Sequence, residues 1–195
     1  MKSLACALAI LLTATAAQAE NTSAPERIVD AAIGDWNKDG KPDLAILVAP
    51  PADKQAETSI GIYIYLRDNE HSLLQLAASA PDKIWGRASG VYGQEPSIAA
   101  LPNGSIAITS QNDAIGRDRW HQTLTLAYRN NGFVVAGYTY DARDTLEPDN
   151  SQTCDYNVLT GKVTKGSKTL KTDAKTINIQ DWQDEIGEKA CGLGH

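Results

Sequence analysis

Several residue types are scarce in these 195 residues: three cysteines, three histidines, one methionine and one phenylalanine. No Cys-x-x-Cys occurs, so the usual zinc and thiol-redox spacings are missing. His195 lies close to Cys191 at the carboxyl end and reads as part of a frayed end. Beyond the first residues no run approaches the roughly 20 apolar positions needed to cross a bilayer, so the chain is not expected to span a membrane. Positive charge is in deficit as well. Eighteen Lys and Arg stand against 24 Asp and Glu, for a formal charge of −6. That balance disfavours nucleic acid and anionic membrane as partners and agrees with divalent cation binding. Leu159-Thr160-Gly161-Lys162 does not meet the P-loop pattern, and no nucleotide site is read there.

The apolar run that is present has a specific form. Met1-Lys2-Ser3 is a short positive head, residues 4–16 are apolar, and Ala17-Gln18-Ala19 is a small-residue cleavage pattern. This predicts a secretory signal peptide over 1–19 and a single exported domain over 20–195, periplasmic or secreted. Cleavage takes Lys2 with it and moves the formal charge from −6 to −7. Cys6 goes too, which leaves Cys154 and Cys191. In an oxidising compartment these two are expected to pair and tether the C-terminal tail, with two free thiols or a metal pair as the alternatives.

The most informative stretch is Gly34-Asp35-Trp36-Asn37-Lys38-Asp39-Gly40-Lys41-Pro42-Asp43, running into the aliphatic segment 44–48. Oxygen side chains alternate at Asp35, Asn37 and Asp39 and return at Asp43, and Ca²⁺ takes six to eight hard oxygens. Gly40 allows the sharp bend that would turn the Lys41 carbonyl inward as a further ligand. An EF-hand would close on a glutamate at its twelfth position, where this chain has Ile46. The segment 35–47, DWNKDGKPDLAIL, resembles the calcium loop of FG-GAP or VCBS-type repeats, the blade units of integrin α-chain propellers. That resemblance implies a metal set of Asp35, Asn37, Asp39, Asp43 and the Lys41 backbone, with a blade strand after it. It occurs once. The same letters also suit a metal-free turn, because Asp-Gly is a strong hairpin signal and Asp and Asn form Asx-turns unaided. Lys38 and Lys41 dilute the negative charge of the loop, so an affinity on the order of 10⁻⁴ to 10⁻³ M is expected.

Elsewhere the chain reads as strands and turns: 28–33, 44–48, 60–66, 72–78, 98–101, 105–108, 123–128 and 133–140. Asn103-Gly104 and Asn130-Asn131-Gly132 mark tight hairpins. The expected fold is all-β, an antiparallel meander of blade-like units forming a partial propeller or sandwich. Two four-stranded units are expected, at 31–78 and 98–140. Weaker strands follow around 156–163 and 176–179, then a helical turn at 184–189, with the disulfide-bound tail covering an edge.

Two further regions hold reactive side chains. Residues 111–121 read as the longest irregular stretch, and Arg117, Arg119, Trp120 and His121 make it a candidate partner loop. Trp120 equally suits the start of a strand, packed inward. His121 has Asp113 and Asp118 nearby but no triad signature. The acidic residues Asp141, Asp144, Glu147, Asp149 and Asp155 suit a solvated loop, with glycoside hydrolysis or a second cation site as alternatives. Taken together, the sequence points to an exported, non-catalytic, calcium-binding β-domain that presents loops to a protein or glycan partner. The rivals are a small envelope hydrolase using the acidic cluster and an inhibitor of an envelope enzyme inserting 111–121.

Overall fold

The structure is a computed structural model that describes residues 27–50, 59–87 and 92–193. The expected signal peptide and His195 lie outside the described residues. The strands are β1 (Ile28–Gly34), β2 (Asp43–Val48), β3 (Ser59–Arg67), β4 (Leu74–Trp85), β5 (Ser97–Ala100), β6 (Ile106–Asn112), β7 (Asp118–Arg129), β8 (Gly132–Asp144), β9 (Ser151–Asn157), β10 (Lys162–Lys165) and β11 (Lys168–Lys171). A short 3₁₀ turn (Ile179–Asp181) and one helix, α1 (Asp184–Cys191), complete the described chain.

The meander holds throughout. β1 to β4 form one antiparallel sheet in sequence order, and β5 to β11 form a second, seven-stranded one. The first expected unit is therefore a sheet of its own. The second is only the first four strands of a larger sheet, which β9 to β11 extend beyond β8. The tail thus adds strands to the sheet, and α1 lies over the face of it. Strand 176–179 is not formed; Asn178 makes a single bridge to Val134 before the 3₁₀ turn.

Period-two patterning drives the layering. Ile60, Ile62 and Ile64 of β3 are each 0 % exposed, and Ile106, Ile108, Leu124 and Leu126 face them from the other sheet in one shared core. Alternate β-branched and aliphatic residues favour an extended backbone and bury one face, which is what a two-layer β fold requires. The edge strands β1 and β5 run together, and the Ile98 amide donates to the Asp30 carboxylate across the gap at 2.8 Å. The sheets do not close into a barrel.

The turns follow the predicted chemistry. Asn130 and Asn131 both take positive φ, 50° and 61°, the conformation of a two-residue hairpin between β7 and β8. Cys154 on β9 and Cys191 at the end of α1 are disulfide-bonded. In the chain-entropy account such a closure contributes about 3–4 kcal/mol. α1 packs so closely on the sheet that a Cβ at Gly187 would stand 2.6 Å from the Tyr138 ring. The outer edge strand β11 carries Lys168 and Lys171, charges that discourage pairing with another chain. No helix among the described residues is long and apolar enough to cross a membrane.

Candidate functional site

The loop between β1 and β2 is folded by its own acidic side chains. Asp35 accepts from the amides of Asp39 (3.0 Å) and Gly40 (2.9 Å), and Asn37 Oδ1 accepts from the same Asp39 amide at 3.1 Å. The oxygens of Asp35 and Asn37 are thus gathered about one N–H. Asp39 accepts from the Lys41 amide at 2.9 Å and from the Asn37 side-chain amide at 3.0 Å. Gly40 has φ 84°, the left-handed bend that glycine adopts without steric cost. The Lys41 ammonium is drawn out of the loop to the Asp68 carbonyl, 3.1 Å away.

Asp43 behaves differently from the other three. It is 1 % exposed, and its two oxygens accept from the Trp36 and Arg67 amides, each at 2.9 Å. It therefore fastens the loop to the end of β3. Trp36, 2 % exposed, folds back over Gly34, where a Cβ would collide with the indole. Sequence reasoning passed over Trp36 and Arg67 because one lies between the oxygen positions and the other is 24 residues beyond Asp43. Among the described residues no three His, Cys, Asp or Glu side chains form a group able to hold a metal. The loop's donor set nevertheless has the chemistry of a hard-cation site. Each ionised carboxylate has about four acceptor positions, so two N–H bonds leave others open.

Residues 111–121 are not an irregular loop. β6 runs to Asn112 and β7 starts at Asp118, so the strands take up most of the stretch and leave a short turn. The alternation of β7 then separates three of the four candidate partner residues, Arg119, Trp120 and His121. Trp120 faces inward, against Trp85 at 4.8 Å and Tyr140 at 6.2 Å. His121 faces the opposite side, where its Nε2 pairs with Asp113 at 2.8 Å and its Nδ1 stands 3.9 Å from Asp141. The Asp113 carboxyl is held below the usual carboxylate range, first by that histidine bond. Arg119 is the cross-strand neighbour of Arg143, which reaches Asp113 at 3.4 Å. Arg117 lies before β7 and grips Asp144 through Nε at 2.8 Å and through a terminal nitrogen.

Asp144 is 7 % exposed and also accepts from the Leu146 amide at 2.9 Å, so it organises the bend after β8. Arg117 is the leading cause that holds its carboxyl low. The acidic residues therefore do not form one solvated loop: Asp144, paired with Arg117, and Asp141, facing His121, lie on β8, Asp155 lies on β9, and only Glu147 and Asp149 are in the exposed turn between them. The structure shows a feature that spacing alone does not. The inner face of β7 to β9 runs on past α1 into a groove of about 400 Å³, lined by Trp120, Tyr140, Asp118, Asn150, Gln152 and Leu193 among others. Next to it, Asp184 of α1 accepts from Gln122 (2.9 Å) and from the Trp182 indole (2.8 Å). Burial nevertheless pushes its carboxyl up. Comparison of the chain with protein-family models, with curated proteins and with solved structures gives no match.

Proposed function

We propose that this chain is an exported, non-catalytic β module in which the 34–48 loop binds Ca²⁺ as a structural ion and the rest of the surface serves a protein or glycan partner. Export is carried by the leader pattern at 1–19 and agrees with the Cys154–Cys191 disulfide, a bond that persists in oxidising compartments. The resemblance of 35–47 to an FG-GAP or VCBS-type loop belongs to the same reading. The observation that carries the calcium assignment is the gathering of Asp35 and Asn37 about the Asp39 amide, with Asp39 bonded to Asn37 on the other side. Asp35, Asn37, Asp39 and the Lys41 carbonyl would hold the ion. Asp43 would complete the set with the acceptor positions its two N–H bonds leave open.

The non-catalytic part of the proposal rests on His121. Its Nε2 is hydrogen-bonded to Asp113 and its Nδ1 stands 3.9 Å from Asp141, so the groups nearest the ring are acids and no hydrogen-bonded nucleophile stands beside it among the described residues. Calcium binding would stabilise the folded state by mass action, so millimolar Ca²⁺ raises the melting temperature relative to chelator. Asp39→Ala abolishes the difference. An equal calcium response in that variant, or none in the parent chain, defeats the assignment.

A further inference from the structure

We propose that the groove at the far end of the larger sheet from the 34–48 loop binds a neutral, pyranose-containing glycan. The proposal deepens the reading of the chain as a binding module by naming the ligand class and the place it occupies. It is independent of the calcium loop.

Three observations lead to it. The groove is about 400 Å³, within the range of small-ligand sites, and remains open where α1 ends at Cys191. Its wall is aromatic. Trp120 and Tyr140 lie 6.2 Å apart and only 20° from parallel, and Trp85 props Trp120 from the other sheet. Its rim carries exposed hydrogen-bonding groups that are not taken up by other protein groups. The side chains of Asp118, Asn150 and Gln152 make no hydrogen bond among the described residues, whereas Asp144 beside them is fully engaged by Arg117 and by backbone amides.

That combination selects the ligand. Sugar rings present apolar C–H faces to aromatic surface and hydroxyl edges that both donate and accept. Asn and Gln amides do both as well, and a carboxylate accepts from paired hydroxyls. Charge argues against an ionic ligand. The groove is lined by charges of both signs, Asp118 and Asp144 with Arg143; Arg143 reaches Asp113 at 3.4 Å and Asp144 is paired with Arg117, so no strong field of one sign stands over it. A purely apolar ligand would strand three polar side chains without partners, which is unfavourable.

The chain contains its own reporter. Of its four tryptophans, Trp36 and Trp182 are 2 % and 0 % exposed. Changes in emission and acrylamide quenching on ligand addition therefore arise from Trp120 and Trp85. The full chain is titrated with neutral tetrasaccharides of gluco, galacto, manno and N-acetylglucosamine configuration, and with tetralysine. The expected result is saturable protection from quenching by at least one sugar and no response to tetralysine. Asn150→Ala combined with Gln152→Ala weakens that binding about tenfold, the sum of two modest hydrogen bonds. Both side chains are exposed, so the double variant keeps its fold. Trp120→Ala weakens binding at least as much. No response to any sugar, a response to tetralysine alone, or unchanged affinity in the Asn150/Gln152 variant overturns the site. Chromatography of the recovered sugar separates the two readings. Intact sugar supports both, and cleaved sugar keeps the site but defeats the non-catalytic reading.

Discussion

Replacing Asp43 with alanine tests whether one buried carboxylate holds the β1–β2 loop in place without help from any ion. Its oxygens accept from Trp36 and Arg67, each at 2.9 Å, and the side chain is 1 % exposed. Removal leaves two amides without partners, and a buried unsatisfied donor costs about 1–3 kcal/mol. The Trp36 amide lies under a residue that is itself 2 % exposed and bears the full penalty; the Arg67 amide is part-buried and bears less. A total loss of about 2–4 kcal/mol follows. For a chain of this size that is roughly 5–15 °C in Tm. Urea unfolding in the presence of EDTA measures it with cations out of the balance. Asp39→Ala is the comparison, because its acceptors are exposed and a loss under about 1 kcal/mol is expected. If Asp43→Ala stays within about 0.5 kcal/mol of the parent chain, or if Asp39→Ala costs as much, the division of labour within the loop is wrong.

Gly187→Ala pits helix propensity against packing. Alanine gains about 1 kcal/mol inside a helix, but its methyl would meet three Tyr138 ring atoms at 2.6–2.7 Å. Overpacking of about 1–3 kcal/mol should win, so equilibrium denaturation shows net destabilisation; a more stable variant refutes the close approach. Acid titration of stability should show opposing contributions. Asp113 and Asp144 have lowered pKa values, so each contributes stability that is present above about pH 4 and lost as pH falls through its folded value. Asp184 is raised, so its contribution is full below about pH 4 and lost as pH rises through its folded value. Asp144→Asn should therefore flatten the acid decline seen by urea unfolding between pH 2 and 6, and an unaltered slope contradicts the Arg117 pairing.

Sequence pattern is strongest where local chemistry decides structure. The alternating isoleucines of β3 and the asparagines at 130–131 each specify an outcome within a few residues, and Cys154 and Cys191, though 37 residues apart, are the two cysteines outside the apolar N-terminal run. The meander was legible for that reason. The strands of the tail were read weakly because β9 to β11 are rich in polar side chains, with much of their surface in solvent. Register was not legible at all. Only the pairing of β6 with β7 and of β7 with β8 puts Thr109, Thr123 and Thr139 in one row, sends Trp120 inward and turns His121 to the opposite face. In the β1–β2 loop the spacing of oxygens showed the four residues but not their separate tasks. The task of Asp43 depends on Arg67, which only the fold brings near. Likewise, Asn150 and Gln152 mean nothing until β9 is laid beside β8.

The β1–β2 loop and the groove sit at opposite ends of the molecule. A Cβ at Gly104 would stand 3.6 Å from the Lys38 side chain at one end, and Asn112 pairs with Trp120 at the other. Between them runs β6, seven residues long, or about 23 Å at the usual strand rise. Salt screens charges over roughly 8 Å under physiological conditions. An ion in the loop thus has no direct electrostatic reach to the groove. Any influence of one end on the other has to travel as stiffness along hydrogen-bonded strands, so if calcium binds the loop and a glycan the groove as proposed, the affinity for one is expected to be the same with and without the other.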